Sequence, residues 1–234
     1  DARRKCLLLI SQVYVPDPAA LGQYMHDVAR SLVQRGRRVI VLAADRGYDD
    51  PSQRYPSYEL LDGVEIVRLP WSSFGKGRLS VRLLGGCIFT AEAALLAAAL
   101  PRIDRVLIST SPPMIALAGL TISALKRAPL SFWAMDINPD QIVATGRMAA
   151  SALPVRGFDL LNKLNLERAA SVVTLDHYMA ERLTAKALIA HKLHVIPPWP
   201  MFMPAALERT SGDAFRRLHG FGDRRVVMYS GNLS

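Results

Sequence analysis

Pro129-Leu-Ser-Phe-Trp-Ala-Met-Asp136-Ile-Asn-Pro-Asp140-Gln141 is the stretch on which the reading of this chain turns. Leu130 to Met135 is almost wholly apolar, opened by Pro129 behind the basic helix end Lys126-Arg127 and closed abruptly by Asp136. That pattern predicts a short strand buried on both faces, as in a parallel sheet. In open parallel α/β sheets ligands bind in the crevice beyond the carboxyl ends of the strands, so Asp136 stands where chemistry would be. Asp before a turn is equally a plain N-cap, here for Asn138-Pro139-Asp140, and the local pattern leaves both roles open.

Outward from this strand the chain alternates. Upstream, Cys6 to Val15 predicts a first strand, the loop Pro16 to Gly22 follows, and a helix runs from about Gly22 to Arg35 with Gly36 at its C-cap. Arg38 to Ala44 is a second strand, and Tyr58 to Leu69 is a hairpin about Asp62-Gly63. Asp104 to Thr110 is another strand, ending in Ser109-Thr110-Ser111-Pro112-Pro113, and Met114 to Arg127 is the helix that returns to the organising strand. The hydroxyl-rich tip suits either an anion cradle or an ordinary helix start. Downstream come a helix over Val155 to Ala170, a strand Ser171 to Leu175 tipped by Asp176-His177, a helix over Glu181 to Leu188, and a strand Leu193 to Ile196. Pro197-Pro198-Trp199-Pro200 can continue neither element and marks a linker. Beyond it, Ala214 to His219 is a short helix and Arg225 to Tyr229 one strand before Ser230-Gly231-Asn232. The expected fold is therefore α/β, a Rossmann-like and mainly parallel sheet with helices on both faces. Residues 1–200 form one domain, and residues 201–234 read as a linker plus the first piece of a second, truncated one.

Composition narrows the partners. Of 234 residues half are hydrophobic, and the net charge of +9 favours anionic partners such as phosphates, nucleotide diphosphates or an acidic membrane face. Arginines are dispersed rather than set along an aromatic groove, which argues against nucleic acid. Cys6 and Cys87 have neither CxxC spacing nor a metal cluster and read as inert core thiols of a reducing cytoplasm. The start lacks a signal-type apolar stretch and reads as a trimmed mature domain. Leu79 to Leu100 is very hydrophobic, but Arg82, Gly85, Gly86 and Glu92 interrupt it, so a packed helix is expected rather than a bilayer span. Trp71, Phe74, Lys76, Arg78 and Arg82 at its start would make a patch able to dip into an anionic membrane. A dinucleotide-dependent oxidoreductase would need GxGxxG after the first strand, and Val15 to Gly22 has a single glycine. His26 reads as a surface or packed histidine, and Asp176-His177 as a capping pair.

The tip Asp136-Ile-Asn-Pro-Asp140, the Ser111-Pro112-Pro113 tip, the Val195-Ile-Pro-Pro-Trp199 linker and the end Val227-Met-Tyr-Ser-Gly-Asn232, in this order and spacing, resemble a GT-B glycosyltransferase. More narrowly, they look like the family 4 retaining enzymes that build bacterial cell-surface polysaccharides. The resemblance spans nearly the whole chain. It implies the N-terminal, acceptor-side half of a GT-B fold, with the donor-side paired glutamates in an absent C-terminal domain. It further implies a nucleotide-diphosphate sugar as donor substrate, no cofactor and no metal, a glycan or lipid-linked acceptor, and a cytoplasmic place, peripheral on the inner face of the membrane. Asp136 would orient or deprotonate the acceptor hydroxyl, with Gly22, Gln23, Ser111 and Asp140 on the acceptor side and Gly22, Gly231 and Asn232 near the donor phosphates. The family's glycine-rich first loop is only partly present, since Ala19 and Ala20 precede Gly22. A module that binds acceptor or membrane without catalysis is the competing reading, and the 234-residue chain alone is expected to be inactive.

Overall fold

The computed structural model describes residues 5–48, 50–71, 79–200 and 209–227. By its internal contacts the chain divides into two compact units, Asp1–Pro198 and Trp199–Ser234, and the division falls within the proline cluster.

The first unit is built on one eight-stranded sheet. In chain order its strands are β1 (Cys6–Ile10), β2 (Arg38–Ala44), β3 (Tyr58–Leu61), β4 (Val64–Leu69), β5 (Arg105–Ile108), β6 (Leu130–Trp133), β7 (Ser171–Thr174) and β8 (Leu193–Val195). They lie side by side as β3-β4-β2-β1-β5-β6-β7-β8. Every pairing is parallel except β3 with β4, the expected hairpin, whose turn places Asp62 and Gly63 both at positive φ. Parallel neighbours cannot be joined by a tight turn; β2 reaches β4 through a loop and β3, and the other crossovers are helical: α1 (Ala20–Gln34), α2 (Leu79–Ala99), α3 (Ile115–Lys126), α4 (Asp140–Ala144), α5 (Leu153–Arg168) and α6 (His177–Lys186).

Burial follows the pleat. Leu8, Ile10, Ile40, Leu42, Val106, Ile108, Leu130 and Phe132 join one apolar core with Phe89 and Ala93 of α2, Ile115 and Ile122 of α3, and Leu166 of α5. The alternate residues Leu7, Leu9, Val39 and Val41 are buried outside that core, and α1 buries Met25 and Ala29 and packs on β2 and β4. Helices thus cover both faces, as a parallel sheet requires. Close packing fixes individual residues. A Cβ on Gly119 of α3 would stand 2.7 Å from Ile108 Cδ1, so glycine lets α3 settle on the sheet without displacing that side chain.

Two lysines finish helix ends. Lys126 Nζ donates to the carbonyls of Ala98 and Leu100 at the C-terminal end of α2, and Lys192 Nζ donates to those of Glu167 and Ala169 at that of α5, where carbonyls lack partners inside a helix.

Several expectations are corrected here. β1 ends at Ile10 and not Val15, because Ser11 to Val15 turns into the loop while still donating Ser11 N–H to Leu42. α6 begins four residues before the expected Glu181, because Asp176 is its N-cap and accepts from Met179 N–H at 2.7 Å. Cys6 is buried, but Cys87 is exposed, since α2 is apolar around its whole circumference and only one side can face the core. In the second unit α7 (Arg209–Leu218) packs Phe215 against His219 and Phe221. Residues 225–227 of the strand expected at Arg225–Tyr229 are not extended into any sheet, and Val227 is fully exposed, having no ladder to join. Its remaining residues, Gly231 and Asn232 lie outside the described residues, as do Phe74, Lys76 and Arg78 and the side chain of Arg82. Among the described residues no helix is long and apolar enough to cross a membrane.

Arg68 on β4 is the most committed charge of this unit. Its side chain is 1% exposed, pairs with Glu59 of β3, donates to the carbonyls of Val15 at 2.7 Å and Ala44 at 3.2 Å, and lies 4.6 Å over the Tyr55 ring. Arg68→Met should lower unfolding free energy by about 3 kcal/mol in urea denaturation, because Glu59 and two carbonyls lose their donor. Arg68→Lys should recover only part of it, lacking the planar fork.

Candidate functional site

The parallel register brings the carboxyl ends of β1, β2, β5, β6 and β7 to one edge, and strand order reverses between β1 and β5. A cleft of about 500 Å³ opens there, the size range of small-molecule sites. Its floor is polar. Gln12 comes from the loop after β1, Tyr48 from the loop after β2, Thr110 and Ser111 from the tip of β5, and Asp136 and Asn138 from the tip of β6. Its walls are largely apolar and include Val81 and Leu83 of α2, Ile142 of α4, and Val155 and Phe158 of α5. Arg147 is the one basic residue among the described residues that line it.

Asp136 lies on this floor with its side chain exposed, and its nearest polar neighbour is Thr110 Oγ1 at 3.5 Å. It does not cap α4. The N-cap there is Pro139, and no side chain bonds to the first turn. The capping role left open by the sequence is thus not taken up, and the carboxylate keeps its lone pairs toward the cleft. Beneath it a smaller cavity of about 30 Å³ runs in among Ser109, Asn138, Phe158, Asn162 and Asn165, sharing Thr110 and Asp136 with the large one.

The other expected site residues are placed differently. Ser111 lines the cleft, but its N–H points to Ser109 Oγ at 3.4 Å, so the hydroxyl-rich tip partly closes on itself. Gly22 is buried, and its N–H donates to the Ala19 carbonyl at 3.0 Å. A Cβ there would meet Tyr14 Cα at 2.9 Å, so the chain's own packing accounts for this glycine. Gln23 donates Nε2 to the Pro18 carbonyl at 3.1 Å, and neither Gly22 nor Gln23 lines the cleft. Asp140 turns away from the cleft toward α6, pairing with Lys186 at 2.7 Å and Arg182 at 3.0 Å. Lys186 also reaches Asp159 of α5 at 2.5 Å. His26 is packed, as expected. It bridges Tyr14 Oη and Asp62 Oδ2 at 3.0 Å each and ties the first loop to the hairpin turn. Among the described residues no three His, Cys, Asp or Glu side chains gather as a metal site.

The contributions of Arg147, Phe158 and Asn165 are absent from the sequence reading. Arg147 had one local signal: Gly146 before it, whose positive φ ends α4 and turns the chain back along the cleft.

A nearly all-parallel Rossmann-like sheet with an open cleft at its topological switch point is the architecture of the N-terminal half of a GT-B fold. Residues 20–199 match the model of the glycosyl transferase 4-like domain, and the chain belongs to that family. No curated protein matches the chain. Among solved structures, sucrose-phosphate synthase from Thermosynechococcus elongatus superposes with a TM-score of 0.59 at 16% identity, over 92% of this chain and 53% of that one. UGT89C1 from Arabidopsis thaliana, complexed with quercetin, gives 0.53 at 13% identity, over 92% and 55%. The same protein complexed with UDP-L-rhamnose gives 0.53 at 14% identity, over 92% and 55%. The chain therefore spans about half the length of the solved proteins it matches.

The Asp140 cluster has a measurable signature. Burial works against its charge, but the bonds from Lys186 and Arg182 outweigh it and hold the carboxyl below the ordinary carboxylate range. A depressed folded pKa stabilises above the unfolded value and is lost as pH falls through the folded one. Asp140→Asn should cost about 1–2 kcal/mol at pH 7, and the difference should close as pH drops below about 4, read from melting curves across pH.

Proposed function

We propose that this chain is the acceptor-side half of a retaining GT-B glycosyltransferase. Joined to a donor-binding domain, it would transfer a sugar from a nucleotide-diphosphate sugar to a glycan or lipid-linked acceptor in cell-surface polysaccharide synthesis. What carries the reading is the position of Asp136: an uncommitted carboxylate on the polar floor of an otherwise apolar cleft, at the switch point of the sheet. Glycosyl transfer passes through an oxocarbenium-like centre and releases an anionic leaving group. The protein must therefore orient a hydroxyl nucleophile and balance charge where it develops. Asp136 is assigned the first task, accepting the proton or hydrogen bond of the attacking hydroxyl, with Thr110 holding the carboxylate. Ser111 is assigned to the acceptor beside it. Gly231 and Asn232, outside the described residues, are assigned to the donor phosphates. Gly22 then acts through packing, keeping the loop after β1 tight against Tyr14.

The apolar walls support an acceptor with an apolar portion, and Arg147 suits an anionic group on it. A solved neighbour complexed with UDP-L-rhamnose, and the same protein complexed with quercetin, support a nucleotide sugar and a separate acceptor as the two substrates. Trp71, 71% exposed after β4, supports a peripheral membrane contact. The mechanism calls on no cofactor and no metal.

In the full-length parent, Asp136→Asn should lower turnover by about 10²-fold or more while leaving the melting temperature unchanged, since no backbone group depends on this side chain. An unchanged rate, or sugar transfer by residues 1–234 alone, would overturn the two-domain mechanism.

A further inference from the structure

The small cavity under Asp136 has an unusual composition for its depth. It holds about 30 Å³, room for one or two atoms of water size, and its wall carries the side chains of Ser109, Thr110, Asp136, Asn138, Asn162 and Asn165. Most of these polar groups already have bonds within the protein. Ser109 Oγ accepts from Ser111 N–H, Thr110 Oγ1 lies against Asp136 Oδ2, and Asn162 Nδ2 donates to the Asn138 carbonyl at 3.0 Å.

Asn165 is the exception. It sits on the inner face of α5, 1% exposed, and its side-chain carbonyl oxygen is buried without a hydrogen-bond partner. An interior amide carbonyl in this condition is costly, and native interiors keep such groups where something else satisfies them. The other buried residues of α5, Val155 and Leu166, are ordinary apolar ones, so packing alone would be met by a leucine. The shared lining of Thr110, Pro113, Asp136, Asn138 and Phe158 makes the small cavity an extension of the large cleft.

We propose that this cavity is a specificity subsite that takes one hydroxyl group of a bound pyranoside, donated to the Asn165 side-chain carbonyl, while a neighbouring hydroxyl of the same ring lies at Asp136. The proposal rests on the acceptor occupying the cleft, and it names Asn165 as the residue that selects among acceptors. The chemistry is asymmetric: a ring carrying the hydroxyl satisfies the amide, whereas its deoxy analogue expels any water from the subsite and leaves the amide unpaired. Discrimination on the order of 10- to 100-fold against the deoxy compound follows. The apolar sides of the cavity, Phe132, Phe158 and Leu161, pack against the ring carbon behind that hydroxyl.

The test uses the 234-residue chain, labelled with nitrogen-15, and a panel of methyl hexopyranosides with their monodeoxy analogues. The Asn165 side-chain amide signal is assigned by its loss in Asn165→Leu. At least one methyl pyranoside should shift that signal and bind 10-fold or more tightly than the analogue lacking one particular hydroxyl. Asn165→Leu should remove the preference without lowering the melting temperature, since it replaces an unpaired buried amide by an apolar group of similar size. Persistence of the preference in Asn165→Leu, or an Asn165 signal that no pyranoside moves, would overturn the subsite. Should Asn165→Leu fail to fold, Asn165→Ser supplies both the assignment and the altered side chain, with the same two outcomes. The two readings fail separately. Pyranoside binding through Asn165 with no sugar transfer by the full-length parent would remove only the catalytic reading, and transfer by a parent in which Asn165→Leu leaves acceptor preference intact would remove only the subsite.

Discussion

Parallel pairing is the constraint on which the molecule depends. Strands that run the same way cannot be joined by short turns, so each connection must climb over a face of the sheet and return. That requirement brings every strand out at the same edge and makes both faces interior. β1 shows the consequence most fully: with β2 on one side and β5 on the other, none of Cys6 to Ile10 is exposed by more than 8%. The residues after the strands cannot be buried in the same way, and the polar loops carrying Gln12, Thr110 and Asp136 converge because the strands beneath them do. The site is a by-product of sheet direction before it is a product of any one residue.

The edge of the sheet also shows how far polar groups are settled elsewhere. Arg38 takes Glu65 in a two-point contact at 2.7 and 2.8 Å, Arg68 is fully paired, and Asp104 accepts the Cys6 N–H and the Arg102 guanidinium. Against that background Asp136 and Asn165 stand out. One is a carboxylate whose only polar contact is long, the other an interior amide oxygen with none, and both border the same cavity. Asp45, Glu92 and Thr174 also bury side-chain oxygens without hydrogen-bond partners, but Asp136 and Asn165 place theirs beside a cleft, where a ligand can complete them.

Local chemistry made much of this legible. The hairpin was readable because Asp62-Gly63 is a turn dipeptide between alternating residues, and the strand Leu130 to Trp133 because a short apolar run after a proline has few other uses. Asp136 was found by the rule that strand tips meet ligands. What stayed hidden depends on partners far along the chain. Asp140 looked like a second site carboxylate until α6 brought Lys186 and Arg182 to it from more than forty residues away. Cys87 looked buried because an all-apolar helix gives no sign of which side faces the core. Asn165 could not be singled out, because a lone Asn in a helix is by default a surface residue. The glycine of the first loop was read toward a ligand, whereas the backbone of Tyr14 occupies the space its missing side chain leaves.

The two lysines at the helix ends alter what the overall charge means to a molecule approaching in solution. A net charge of +9 suggests a broad attraction for anions. Yet the ammonium groups of Lys126 and Lys192 are folded down onto backbone carbonyls, and the guanidinium of Arg68 is sealed inside. Their charge is largely cancelled at short range by the dipoles and carboxylates they touch. Such contacts leave the net charge, and with it the far field, unchanged, but near the surface fewer cations stand free, and Arg147 in the cleft weighs more heavily there. An anion is still drawn to the molecule as a whole, and only close to the surface does the local feature in the cleft set where it settles.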